Sequence, residues 1–141
     1  MNILSNNWFK KENTGKIALG VTAVGGAATA FLYDNKIVVD FLNTATTASY
    51  VVTTPMGFTV VDAYTHADTG ATGCVVYVDN TATHITSDIG GATDTLVTRT
   101  TAIVDSQAIF LKGDDDLTIS ASATATAAVA NSVVVINIKP T

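Results

Sequence analysis

The chain contains few side chains that could do acid–base, nucleophilic or metal chemistry, and they are widely spaced: His66, His84, Cys74 and scattered aspartates. Zinc sites use closely spaced histidine and cysteine ligands, yet no HxH, HExxH or CxxC pattern occurs. His66 and Asp68 alternate at the end of one predicted strand, where they could form a metal pair or a general base with its orienting carboxylate. We favour the alternative, in which both are solvated residues beside a loop.

Cys74 is the only cysteine and has no partner for an internal disulfide, so the fold does not depend on an oxidising compartment. It lies in the apolar run CVVYV, which favours a buried small side chain over the alternative of a reactive thiol. No GxSxG motif marks a serine nucleophile. The sequence therefore predicts a protein that is not an enzyme and that binds no cofactor.

Asp114, Asp115 and Asp116 form the densest acidic run. They could collect Ca²⁺ together with a loop carbonyl, but the spacing of an EF-hand is absent. Three consecutive carboxylates on a hairpin do not readily point at one ion, and the run follows a glycine, as is typical of a soluble turn. We therefore predict a turn and no metal site.

Arg99 is the only arginine and lies among threonines in VTRTT. Because a guanidinium matches the geometry of a carboxylate, we predict that it pairs with Asp88, Asp94 or Asp105 and fixes a loop. A carboxylate of a neighbouring subunit is an equally suitable partner, and an exposed side chain without a partner is the third alternative.

The elements that carry these residues are predicted from a period of two. In Leu117–Ala127, LTISASATATA, apolar residues occupy one parity and Thr or Ser the other. This alternation gives a strand with an apolar face and a hydroxyl face, and it does not fit the 3.6-residue period of a helix. Because hydroxyls stand where Lys and Glu are usual, the pattern indicates a rigid surface that packs against other protein.

The composition agrees with a β protein and argues against nucleic acid as a partner. Hydrophobic residues make up 48% of the 141 residues and charged residues 13%, with one Glu, one Arg and a net charge of −5. Abundant Thr and Val with little Glu and Arg disfavour a helical protein. Phosphate contacts need clustered Lys and Arg, whereas the acidic residues 51–141 contain Arg99, Lys112 and Lys139 against nine Asp.

The apolar segment Ile17–Tyr33 contains no charged residue. We predict an ordered hairpin with its turn at Gly25-Gly26, because both glycines can take positive φ, and a second turn at Asp34-Asn35. One alternative is a signal-like segment with Ala28-Thr29-Ala30 as its cleavage box. The other is membrane contact, for which the segment is short and diluted by Gly, Thr and Ala; we predict no membrane partner.

Residues 1–14 are typical of an extended arm that becomes ordered on a partner. Trp8 and Phe9 are predicted to anchor in a neighbouring pocket or to cover the chain's own core, and Lys10 and Lys11 suit an acidic protein surface. Together with Arg99, these four residues are the predicted protein-interface residues.

Seven or eight short strands separated by turns favour an antiparallel β-sandwich, jelly-roll-like, with an extended N-terminal arm and hairpin. A Thr-rich link over 43–49 separates two predicted parts, the arm and apolar hairpin at 1–49 and the sandwich domain at 50–141. Residues 95–104 fit either a strand or a single helical turn. The predicted strands are 36–41, 50–54, 57–66, 74–79, 84–86, 107–112, 117–127 and 131–139.

Four stretches together resemble the small β-sandwich head decoration, or cement, proteins of tailed bacteriophages, notably those of aquatic bacteria: GFTVVDAYTHADTGATGCVVYVDN, ITSDIGG, VTRTTAIVDSQAIFLKGDDDLTISA and VVVINIKP. The resemblance covers about residues 57–139. It implies a homo-oligomer, often a homotrimer, that lies on the capsid surface of the virion, binds the major capsid protein and resists internal pressure. The family has no catalytic residues to carry over.

The expected function is therefore that of a non-enzymatic virion structural protein that decorates and stabilises a phage capsid. One alternative is a carbohydrate- or receptor-binding sandwich of a tail or fibre, although such sites stack sugars on exposed aromatics and this chain has one Trp and four Tyr. A surface-anchored bacterial β protein is the other alternative.

Overall fold

The described part of the chain consists mainly of antiparallel β-strands. A computed structural model describes residues 16–67, 75–90, 96–111, 115–122 and 132–140, and these residues include no α-helix and therefore no helix suited to crossing a membrane. The prediction of an all-β antiparallel fold is confirmed, whereas the jelly-roll sandwich stays a prediction. The elements are β1 (Ile17–Tyr33), β2 (Lys36–Thr53), β3 (Phe58–Ala67), β4 (Val75–Asn80), β5 (Thr83–His84), β6 (Leu96–Arg99), a 3₁₀ turn (Asp105–Gln107), β7 (Ile109–Phe110), β8 (Leu117–Ser122) and β9 (Ser132–Pro140).

The long strand β2 organises the sheet. β1 pairs with β2 along almost the whole length of β1. The other two partners of β2, which are β8 and β9, must therefore share the opposite edge of β2. On that edge β9 pairs with residues 36–40 and β8 with residues 47–52. The sheet therefore divides into two branches, which we name the β8 branch (β8, β4, β5) and the β9 branch (β9, β3, β6, β7).

The two branches meet again at their far ends, which curls the sheet. Thr86 and Ile103 form an isolated antiparallel bridge, and the Val104 amide donates to the Ile85 carbonyl at 2.9 Å. The Thr65 hydroxyl donates to the Ile89 carbonyl at 2.5 Å. These bonds join the segment that follows β5 to the strands and loop of the β9 branch.

A single cluster of buried side chains draws on both branches, and it fills the concave side of the curled sheet. Phe58 and Phe110 stack in it with ring centroids 4.7 Å apart. Burial of each large apolar side chain contributes about 1.5–3 kcal/mol. The largest fully buried side chains are Tyr50, Phe58, Phe110, Ile37, Ile85, Ile89, Leu117, Ile119, Ile136, Val39 and Val60.

The predicted apolar face is confirmed where the structure describes it, although Thr118 on the hydroxyl face of β8 is buried as well. In β8, Leu117, Ile119 and Ala121 are buried, and in β9, Val134, Ile136 and Ile138 are buried. Residues 123–127 of the predicted strand lie outside the described residues. Period two therefore identified the core face of both strands.

The predicted turn at Gly25-Gly26 is wrong. β1 runs without interruption through both glycines, and the chain reverses at Asp34-Asn35, the turn predicted as the second one. Asp34 and Asn35 have φ of 49° and 59°, as a two-residue type I′ turn requires. Gly25 has φ +80° and lies at a register shift between Val24 and Gly26, so the glycine serves a bulge.

The predicted Thr-rich link over 43–49 is also wrong, because these residues belong to β2. β2 joins the two predicted strands 36–41 and 50–54 into one, and it crosses the predicted boundary between residues 49 and 50. The ambiguous segment 95–104 contains the strand β6, and the predicted strand 107–112 is replaced by the end of the 3₁₀ turn and the short β7.

Replacement of Gly25 by alanine is expected to destabilise the fold strongly. The new Cβ would press into the Thr47 carbonyl oxygen and lie 3.2 Å from the Ala48 Cα, at a φ that L-residues avoid. Left-handed backbone alone costs about 1–2 kcal/mol, and the steric conflict adds to it. We expect Gly25→Ala to lower the melting temperature by roughly 5–10 °C, measured by thermal unfolding followed by circular dichroism.

Gly20→Ala is the matched control, because its Cβ would meet Thr53 at an ordinary 3.6 Å. Equal melting temperatures for the two variants would contradict the role of Gly25 in the bulge.

Substitutions at Asn35 are expected to have opposite effects according to their tolerance of positive φ. Asn35→Gly creates the Asp-Gly pair favoured in type I′ turns and should leave the free energy of unfolding unchanged or raise it. Asn35→Val places a β-branched residue in the left-handed region and should lower it by about 1–2 kcal/mol. Urea unfolding of the two variants beside the parent chain measures the difference, and a stable valine variant would rule out the type I′ turn.

Candidate functional site

Polar side chains gather on the convex face of the β8 branch. Val76 and Val78 of β4 are buried in the core, so the alternate residues Tyr77 and Asp79 lie on the opposite face. The register places Tyr77 beside Ser120 of β8, and Asp79 beside His84 of β5. We name Tyr77, Asp79, His84 and Ser120 the outer cluster.

Asp79 is the centre of the outer cluster. Its side chain is 6% exposed, and both of its carboxylate oxygens have partners. Oδ2 accepts a hydrogen bond from the Ser120 hydroxyl at 2.7 Å, and Oδ1 lies 2.5 Å from His84 Nδ1. A carboxylate oxygen accepts hydrogen bonds, so this contact matches the His84 tautomer with a proton on Nδ1, and Nε2 is the ring nitrogen left for another partner.

The His84 ring is fixed by a second contact. It stacks on the Tyr77 ring with centroids 3.8 Å apart and an interplanar angle of 10°. The His84 side chain is nevertheless 53% exposed. Its orientation is therefore set from two sides by neighbours within the chain, while part of the ring faces solvent.

An open depression of about 220 Å³ adjoins these rings. Tyr77 and His84 form part of its lining, and Thr47, Ser120 and Ser122 add hydroxyl groups. Val75 adds an apolar side chain, whereas Ala48 and Ala121, which also line the depression, are buried members of the core. The depression thus combines aromatic rings, hydroxyls and small apolar groups.

The outer cluster contains Ser, Asp and His, but its connectivity differs from that of a nucleophilic triad. There the histidine accepts the serine proton and the carboxylate orients the histidine. Here Ser120 donates to Asp79, and Asp79 separates Ser120 from His84 Nδ1. The arrangement orients hydrogen-bonding groups beside an aromatic surface, which suits binding rather than activation of the serine.

Arg99 pairs with a carboxylate that is not among its three predicted partners. Arg99 of β6 forms an ion pair with Asp62 of β3, and its guanidinium lies 4.6 Å from the centroid of the Tyr64 ring. Asn137 of β9 donates to the same carboxylate at 3.5 Å. Asp88 instead accepts from the Val76 and Gly90 amides. Half of the Arg99 side chain is exposed, so the predicted role in a protein interface stays a prediction.

The other predicted residues are not brought together. His66 lies in β3 of the β9 branch, whereas His84 lies in the β8 branch, and the described residues contain no group of three or more potential metal ligands. Asp115 accepts from the Leu111 amide at 2.8 Å, and the Asp116 amide donates to the Thr81 hydroxyl. Outside the described residues lie Trp8, Phe9, Lys10, Lys11, Asp68, Cys74, Asp94 and Asp114.

The outer cluster escaped the sequence analysis because its members join through pairing of distant strands. Asp79 lies within β4 and Asp62 within β3, so the side-chain partners of both carboxylates come from other strands and not from a local turn. The available signal was the alternation Val76-Tyr77-Val78-Asp79, which places the tyrosine and the aspartate on one face. A carboxylate in that position within an apolar strand requires partners from neighbouring strands.

Removal of the Asp79 carboxylate is expected to destabilise the fold. Asp79→Ala leaves the Ser120 hydroxyl and His84 Nδ1 without their acceptor, at a cost of about 1–3 kcal/mol in the free energy of unfolding. Asp105→Ala removes an exposed carboxylate and should change that free energy by less than about 0.5 kcal/mol. Denaturant unfolding measures the free energy of unfolding of both variants, and equal values would show that the outer cluster does not stabilise the fold.

No protein family, curated protein or solved structure matches the chain. The resemblance to phage head decoration proteins therefore stays a prediction, and the function is inferred from the geometry of the described residues.

Proposed function

We propose that the chain is a non-enzymatic structural protein that decorates a phage capsid, binds the major capsid protein and stabilises the shell, as a homo-oligomer on the virion surface. The observation that carries this proposal is the long uncharged strand β1. Ile17–Tyr33 contains neither a charged residue nor a proline, and β2 is its only partner among the described strands.

Such a strand is a template for contact with another chain. The outer edge of a terminal strand presents N–H and C=O groups, and proteins usually protect long edges with Lys, Pro or a short strand length. β1 has none of these three protections. Bulges near Gly25 and Ala27 are the irregularities that interrupt its pairing with β2. A second chain that adds a strand would satisfy the edge.

The exposed side chains on β1 also favour broad protein contact. Ala18, Thr22, Ala27 and Thr29 are exposed and small, and Val24 is 70% exposed. Small and β-branched side chains have few rotamers to freeze on association, and no charge has to be desolvated. This supports a closely packed interface.

A two-layered, sandwich-like arrangement is part of the proposal. The Lys16 ammonium lies 4.5 Å from the centroid of the Phe31 ring, although the two residues belong to opposite ends of the β1 region. The hairpin of β1 and β2 therefore bends back on itself, and each half continues into one branch of the sheet. Two facing branches around one core are what a jelly-roll-like sandwich requires.

Charges placed on β1 are expected to weaken binding to capsids without unfolding the chain. Thr22→Lys combined with Thr29→Lys puts two ammonium groups on the exposed face of the edge strand, where they oppose pairing with another strand. We expect at least about tenfold weaker binding to heads purified from the virus whose genome encodes the chain. Cosedimentation with the assembled heads measures the affinity.

Thr53→Lys combined with Thr101→Lys is the matched control, because it adds the same two ammonium groups at exposed positions outside β1. Trp8→Ala in the same assay tests the predicted arm anchor separately. Failure of the parent chain to bind heads overturns the proposed function, and unchanged binding by the β1 variant overturns the role of the edge.

A further inference from the structure

We propose that the depression beside the outer cluster binds a neutral saccharide ring. The volume of the depression, about 220 Å³, is below the roughly 300–1,000 Å³ of sites for drug-sized ligands. A depression of this volume suits a single sugar ring and not an extended ligand. This inference concerns a different surface from the β1 edge, and it does not depend on the proposed capsid binding.

The aromatic part of the lining suits the apolar face of a sugar ring. Tyr77 lines the depression, and the parallel stack with His84 holds its ring at a fixed angle. A ring that is already immobilised loses little conformational freedom when a ligand packs on it. The Tyr77–His84 pair therefore forms a preformed aromatic surface in the β8 branch.

The polar part of the lining suits hydroxyl groups. Thr47, Ser120 and Ser122 offer groups that both donate and accept, as sugar hydroxyls do. His84 Nε2 adds a further hydrogen-bonding atom, because Nδ1 is held by Asp79. The Asp79 carboxylate orients Ser120 and His84 from behind and is itself almost fully buried.

The charge of the lining selects a neutral ligand. No Lys or Arg lines the depression, so an anionic ligand such as a phosphate finds no permanent cation there. Asp79, the nearby carboxylate, has both oxygens engaged by Ser120 and His84, which leaves it no free oxygen directed at a cationic ligand. The uncharged hydroxyl groups of a sugar match the hydroxyl groups that line the depression.

The test is titration of the intact chain with a panel of neutral monosaccharides, with sialic acid and inorganic phosphate as charged probes. Saturation-transfer NMR detects the bound ligand, and backbone amide shifts locate it. At least one neutral sugar is expected to bind with a dissociation constant in the millimolar range and to shift the amides of Tyr77, His84 and Ser120.

Variants of the aromatic pair decide the location. Tyr77→Ala should weaken binding by at least about tenfold, whereas Tyr77→Phe keeps the ring and should change it by less than about threefold. Tyr33→Ala removes an exposed tyrosine on β1 and should have no effect on the affinity. If the alanine variant is unfolded by circular dichroism, His84→Ala, which removes an exposed ring, takes its place with the same expected loss.

Three results would overturn the inference: no neutral sugar binds, binding is confined to sialic acid or phosphate, or Tyr77→Ala and Tyr33→Ala bind equally well. Loss of capsid binding in any of these variants would bear on the proposed function and not on this one, since the two assays use different ligands.

Discussion

The fold depends on the sharing of one edge of β2 between β8 and β9. A strand can pair with one neighbour at each point along an edge, so a second neighbour is accommodated only where the first one ends. β9 occupies the first residues of β2 and β8 the last ones, and each then leads into its own branch. This division gives two branches that both contribute side chains to one buried cluster, and the bridge between Thr86 and Ile103 joins them again at the far side.

Sharing of the edge demands a hairpin that bends, and the sequence provides the bend at Gly25. Leu19, Val21 and Ala23 pack against the core before the bulges, and Ala28 and Leu32 pack against it after them. An uninterrupted period of two would not keep both sets inward, because the bulges shift the pairing register. A glycine with positive φ at this point allows β1 to serve both branches.

The same physics explains which features could be predicted from the sequence. The core faces of β8 and β9 follow from local alternation, which the chain displays in consecutive residues. Gly25-Gly26 is locally suited to a turn and to a bulge alike, and only the continuation of β2 through residues 43–49 decides between them. Asp79 and His84 meet through a β4–β5 pairing, and Ser120 joins them from β8, so the outer cluster follows from strand order and not from spacing.

Hydroxyl groups have two roles among the described residues: some join the two branches of the sheet, and others lie on the surface that we propose binds a ligand. Thr86 Oγ1 accepts from the Val78 amide, and Ser87 bonds with Thr100, so these hydroxyls satisfy groups where the two branches meet. Ser120 is also committed, to Asp79, but it lines the depression at the same time. An oriented hydroxyl on an open surface is costly to desolvate unless a ligand replaces the water with equivalent hydrogen bonds. The outer cluster therefore favours polar ligands, whereas the uncharged edge of β1 favours another polypeptide backbone, and the two surfaces can act independently on one scaffold.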